Sequence, residues 1–126
     1  MAAGIEGSGL SSWMALQARH LAALPVFWQI ALASLASVTL TAVASNTGTV
    51  SVLLSVLPRS MGVFSASAIG ASCDFALPAG TPPNAIVFGS GYIRLPVMMR
   101  VGALLDLAAV ALITLYTFFY ARHLFT

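Results

Sequence analysis

The chain has 126 residues, 60% of them hydrophobic and only 6% charged, with five arginines against three acids and a mean hydropathy of +0.98. Soluble domains carry about 25% charged residues, so this composition excludes a water-soluble monomer and makes the bilayer the solvent. The arginines, at 19, 59, 94, 100 and 122, are scattered singly, which excludes a nucleic-acid patch. A single cysteine, Cys73, excludes an intrachain disulfide, and no Cys/His spacing suits a bound metal. His20 and His123 lie near the ends, where interfacial positions are expected.

Residues 1–24 lack the basic start, apolar core and small-residue cleavage site of a signal peptide. Leu10, Trp13, Leu16, Leu21 and Leu24 recur at roughly helical spacing, which predicts an amphipathic helix on the membrane surface anchored by Trp13. From Pro25 the chain turns apolar and predicts a helix of about 30 Å, with proline suited to its first turn. Ser37, Thr41 and Ser45 fall every four residues on one face, a stripe that marks helix–helix contact in a bilayer or plain packing. Residues 45–49 are then small or polar. The next apolar stretch, Val50 to Leu57, is shorter than the roughly 20 residues a crossing takes. A long arm, a polar tip and a short arm predict a re-entrant hairpin over 25–57; the alternative is one helix kinked at Asn46.

Residues 60–78 predict a further apolar helix, with Ala66, Ser67, Gly70 and Ala71 as a small-residue packing surface. It runs into Thr81-Pro82-Pro83-Asn84-Ala85, where adjacent prolines cannot continue a helix. A short apolar piece, 85–88, comes next. The region 60–93 therefore reads as a discontinuous transmembrane helix, unwound at 81–85. The last span, 96–121, ends in Tyr116, Phe118, Phe119 and Tyr120, an interfacial aromatic belt before Arg122 and His123. The expected fold class is all-α and integral to the membrane: amphipathic helix, re-entrant hairpin, broken helix, final span.

Interrupted helices leave end groups unpaired. The second half of each interrupted element presents a partly positive N-terminus that favours an anion, and the first half ends in carbonyls that favour a small cation. Hydroxyls of Ser45, Thr47 and Thr81 and the amide of Asn46 can complete either shell. No arginine sits at either tip, so a bound anion would rest on dipoles and hydrogen bonds. An enzyme is not expected: Ser45 has no His or Lys nearby in sequence, and paired carboxylates or a phosphate-cradling motif do not occur.

With these residues in hand, the chain resembles the C-terminal part, the second repeat, of the divalent anion:sodium symporter family. The resemblance lies in Ser45-Asn46-Thr47, in SCDFALPAGTPPNAIVFGSGYIRLP (72–96), in the span to about Thr117, and in GIEGSGL near the start. It implies a transporter of di- or tricarboxylates or sulfate with sodium as the coupling ion and no other cofactor. It also implies that Ser45, Asn46, Thr47, Thr81 and Pro82 contact the anion. Thr41, Ala44, Asn46 and the backbone of Gly80 would hold sodium. Family members are homodimers that move the hairpin-bearing domain like an elevator, and the location implied is a bacterial inner membrane.

The chain departs from that pattern in several places. The first repeat is missing, the connection from Leu57 to Val63 is several residues short, and Ala42-Val43 replace an acidic-aromatic pair. Gly80 stands where alanine is common. Asp74 and Asp106 occupy positions expected to be uncharged, at about 2.5–3.5 kcal/mol for a carboxylate near the bilayer centre. Asp74 faces a cavity and couples to a cation or proton, or sits near water, or is a tolerated defect; Asp106 is expected to serve helix packing or the interface. Arg19, Arg59 and Arg122 share one side and Arg94 and Arg100 the other, which by count makes the first side cytoplasmic. The family arrangement gives the opposite orientation and is preferred.

The leading expectation is a partial transport domain over 25–126 that supplies the hairpin and broken-helix half of a sodium and anion site. Its partners would be the bilayer, the anion, sodium, and either a second copy or a separate first-repeat half. The alternative is a non-transporting remnant or accessory membrane subunit. A third reading is a homo-oligomer whose two copies insert in opposite orientations.

Overall fold

A computed structural model describes residue 16 and residues 19–124 of the chain. Leu10 and Trp13 of the expected amphipathic helix lie outside the described residues; residues 19–22 are helical. Gln29 ties this turn to the helix after it, its Nε2 donating to the Leu24 carbonyl at 2.8 Å and the Ala22 carbonyl at 3.3 Å.

Five helices come after it: α1 (Val26–Thr41), α2 (Asn46–Val56), α3 (Met61–Gly70), α4 (Pro82–Gly89) and α5 (Leu95–Leu124). Helix α1 is the centre of the molecule and packs on α3, α5 and α2; α3 also packs on α5. Ile30 and Ala33 of α1, Val63 and Ala66 of α3 and Ile113 of α5 form the buried cluster, with Leu57, Cys73, Ala109 and Phe118 against it. Phe27 meets Phe118 edge to face at 5.4 Å.

The α1–α3 seam depends on small and hydroxylated residues. Ser37 Oγ donates to the Ser67 carbonyl at 2.6 Å, across the two helices. A Cβ at Gly70 would lie 3.1 Å from Ser37 Cβ and 3.2 Å from the Ser34 carbonyl, so the missing side chain lets the backbones close up. Of the predicted stripe, Ser37 and Thr41 are on this seam. Ser45 is not: it has left α1 and caps α2.

The interruption after α1 is a turn at 42–45, in which the amides of Val43 and Ala44 both donate to the Leu40 carbonyl. Ser45 is extended, and its Oγ accepts from the Gly48 amide at 3.1 Å. Asn46, Thr47 and Gly48 are therefore the first turn of α2 and not a loose tip. Helix α2 packs back on α1, so the segment is a helix–turn–helix and not one kinked rod. Helix α1, at about 24 Å, is shorter than the hydrocarbon core of about 30 Å.

Helix α3 stops at Gly70, eight residues short of the expected Pro78. Pro78 has no N–H for the Asp74 carbonyl four residues back, and its ring would crowd that carbonyl. Ser72, Cys73 and Asp74 are weak helix formers. The unwound stretch is thus 71–81, and Asp74 lies inside it, not one turn before it. Pro82 and Pro83, expected within the break, open α4 instead, with Thr81 as N-cap. Proline is tolerated there because the first amides of a helix have no internal partner.

Helix α5 contains 26 residues, Leu95–Tyr120, apolar and long enough to cross a membrane, in agreement with the expected last span. Only 22% of its most apolar window is buried within the chain.

Candidate functional site

Thr41 closes α1 and is fully buried. Its Oγ1 lies 2.7 Å from Asn46 Oδ1 and 2.8 Å from the Ala71 carbonyl. One hydroxyl carries one proton, so the two oxygens compete for it. Turning the Asn46 amide over would let Nδ2 donate to Thr41 while Thr41 donates to Ala71. Either way this hydroxyl joins the start of α2 to the residue where α3 ends. The two interruptions therefore meet at Thr41.

Not every expected residue is drawn in. Ala44, Ser45, Asn46 and Thr47 are solvent-exposed at the turn. Gly80 and Thr81 are half-buried at the far end of the break, and Pro82 is exposed at the start of α4. Among the described residues no hydrogen bond joins Gly80, Thr81 or Pro82 to residues 41–47. The structure brings Thr41 and Asn46 together and leaves the Gly80–Pro82 group as a separate edge.

The two helix N-termini differ in what they can offer. In α2 the amides of Asn46 and Thr47 make no internal bond, since only those of Gly48 and Thr49 are used, by Ser45 Oγ and the Ser45 carbonyl. In α4 the first two positions are prolines and have no N–H at all. The next amide, Asn84, points to Thr81 Oγ1 at 3.4 Å. The two ends therefore differ in kind: α4 has its dipole and the Thr81 hydroxyl proton, and α2 has free amides.

Three residues hold the break in shape, and of these sequence reasoning missed Gly102 and the role of Asn84. Asn84 Nδ2 donates to the Asp74 carbonyl at 2.8 Å and the Leu77 carbonyl at 3.0 Å, spending both its protons on the unwound segment. Asp106, half-buried on α5, accepts from the Phe75 amide at 3.0 Å through Oδ1. Gly102, one turn earlier on α5, is where the backbone of Phe75 and Ala76 lies against the helix; a Cβ there would overlap both. The spacing of Gly102 and Asp106, four apart on one helical face, was the available signal. Packing, one of the two roles expected of Asp106, is the role seen. Asp74 itself is 2% exposed, so it does not sit near water.

Comparison with known proteins gives this geometry a context. The profile of the sodium:sulfate symporter transmembrane region matches residues 1–126. Solute carrier family 13 member 1 of Rattus norvegicus is 33% identical over 133 residues, an alignment covering 99% of this chain and 22% of that protein. The sodium-dependent dicarboxylate transporter SdcS of Staphylococcus saprophyticus is 32% identical over 127 residues, covering 94% of this chain and 24% of that protein. The human Na(+)/dicarboxylate cotransporter 3 is 34% identical over 133 residues, covering 99% of this chain and 22% of that protein. The chain spans about a quarter of the length of these relatives.

Proposed function

Since the chain belongs to the sodium:sulfate symporter family of integral membrane transporters, we propose that its 126 residues supply one half of a sodium-coupled site for divalent anions. The substrate class is dicarboxylate or sulfate, after the names of the family and the relatives, with tricarboxylate added by the resemblance read in the sequence. The observation that carries this reading is the Thr41 hydroxyl, which ties the start of α2 to the start of the break. Residues 25–57 act as the re-entrant hairpin, 60–93 as the broken span, and 96–121 as the last span.

In this reading the free amides of Asn46 and Thr47, the hydroxyls of Ser45, Thr47 and Thr81, and the edge at Pro82 face the anion. Thr41, Ala44, Asn46 and the Gly80 carbonyl take the sodium ion. Thr41 and Asn46 already touch; Gly80 and Thr81 approach them when ions and anion draw the two edges together. Residues outside these 126, from a first repeat, complete the site, and the assembly is a homo-oligomer in a bacterial inner membrane.

The test is uptake of labelled succinate and sulfate into liposomes under an inward sodium gradient. The 126 residues would be reconstituted alone and together with a first-repeat half from SdcS. Uptake is expected only from the combination, and Asn46→Ala should abolish it. Vigorous uptake by the 126 residues alone would remove the half-site reading. One observation favours a second reading, a non-transporting remnant or accessory subunit: Asp74 is a buried carboxylate with no partner among the described residues. Failure of uptake from every combination would favour it.

A further inference from the structure

Asp106 is a half-buried carboxylate near the middle of the apolar span Leu95–Tyr120, a costly place for a charge. Its Oδ1 accepts from the Phe75 amide at 3.0 Å. The carbonyl of that same peptide bond belongs to Asp74, and it accepts from Asn84 Nδ2 at 2.8 Å. The bond is trans, so its N–H and C=O point in opposite directions within one plane. Helix α5 therefore grips this plane at one edge and α4 grips it at the other. A single hydrogen bond leaves a peptide plane free to swing; two at opposite edges fix it. The two bonds also strengthen each other, because a carboxylate on the N–H polarises the C=O beyond it.

The grip extends to the edge of the break. Asn84 Nδ2 gives its second proton to the Leu77 carbonyl at 3.0 Å, and the Gly80 amide donates to that same carbonyl at 3.3 Å. A continuous run of hydrogen bonds thus leads from Asp106 through the Asp74–Phe75 peptide and Asn84 to Gly80. Gly102, one turn before Asp106, gives the run its room, since a Cβ there would overlap the backbone of Phe75 and Ala76. Helix α4 buries no residue of its own, so the run does for it what side-chain packing does for the other helices.

We propose that Asp106 is a positioning residue: with Asn84 it locks the Asp74–Phe75 peptide plane, and through that plane it holds the Gly80–Thr81 edge where it can close on Thr41 and Asn46. The consequence for uptake rests on the half-site reading above; the lock itself does not. What the lock needs is an acceptor, and an amide oxygen accepts as a carboxylate oxygen does.

The test compares Asp106→Asn and Asp106→Leu in the full chain, held in lipid nanodiscs. Hydrogen–deuterium exchange is followed by mass spectrometry in peptides covering 71–81. Asp106→Leu should speed exchange there roughly tenfold or more, because a hydrogen bond to a charged group is lost, and α1 should exchange as before. Asp106→Asn should exchange like the wild type. Gly102→Ala displaces the same backbone and leaves the carboxylate in place; it should match Asp106→Leu. In liposomes with the SdcS first-repeat half, Asp106→Leu should raise the sodium and succinate concentrations for half-maximal uptake several-fold, because a loose edge must be ordered on binding. The maximal rate should change little, whereas a merely structural role would lower that rate instead. Asp106→Asn should restore half-maximal uptake to the wild-type concentrations. Wild-type exchange in Asp106→Leu would overturn the proposal. So would Asp106→Asn behaving like Asp106→Leu, which would make charge the essential property. Absence of uptake from the wild-type combination would count against the half-site reading alone, and the exchange rates would then decide the lock.

Discussion

Asn84 spends one amide group on two carbonyls, and one of these, that of Asp74, has no helical donor because Pro78 lacks an N–H. Asn84→Ala should therefore cost about 1–3 kcal/mol by leaving that carbonyl unmet, read as a lower midpoint of thermal unfolding in detergent. Asn84→Asp should be at least as harmful, because a carboxylate has no proton to give. Gly80 supports a different kind of expectation. Gly80→Ala alone should destabilise by about 1–3 kcal/mol through overpacking, whereas in an Asp74→Ala background the same change should be nearly neutral. A double-mutant cycle measures the difference; additive effects would show that the two residues do not share one space.

The helix ends decide most of what is distinctive at the next scale. The interruption near Asn46 and the final span were legible in the sequence, because each depends on the local count of apolar residues and the proline positions. The endpoint of α3 was not. It depends on Asn84, ten residues beyond Asp74, and on Asp106 and Gly102 from another helix, none of which a local pattern registers. The sequence also marked Thr81-Pro82-Pro83 as a break, when the prolines in fact start a helix; the Thr81 cap is what makes that start possible. Likewise Thr41 was marked as a site residue, but its bond to Ala71 links positions 30 apart. The docking of the break on α5 is testable by comparing two glycines. Gly102→Ala should cost about 1–3 kcal/mol, since the added methyl meets backbone that cannot rotate away. Gly89→Ala meets nothing within 4 Å and should be neutral or raise stability by up to about 1 kcal/mol. Urea or thermal unfolding of both variants in the same detergent reads the contrast. On the α1–α3 seam, Ser37→Ala removes the 2.6 Å bond to Ser67 and should cost about 0.5–1.5 kcal/mol.

At the scale of the whole molecule, too little of the apolar surface is covered by the chain itself. Along α5, Leu104, Leu107, Leu112 and Phe119 are each more than half exposed. Tyr116 and Tyr120 stack at 5.2 Å on the same helix near its end, in the aromatic belt read from the sequence. Lipid covers such a surface without cost, and water does not. The chain should accordingly remain in the membrane pellet after alkaline carbonate washing, and leave it only with detergent. Release by carbonate would mean that α5 lies on the bilayer and does not cross it.

The overlap between a methyl group at position 80 and the Asp74 carboxylate also couples the two positions in any sequence that keeps this packing. Alanine at 80 and aspartate at 74 compete for one space in this packing, so the effect of either substitution depends on which residue holds the other position. A chain that takes glycine at 80 before aspartate at 74 avoids the clash, and the opposite order passes through it. Alanine returns to 80 at least cost once the acid at 74 has gone. A library that randomises both positions together should recover glycine with aspartate and alanine with small neutral residues, and should be depleted in the mixed pair of alanine and aspartate.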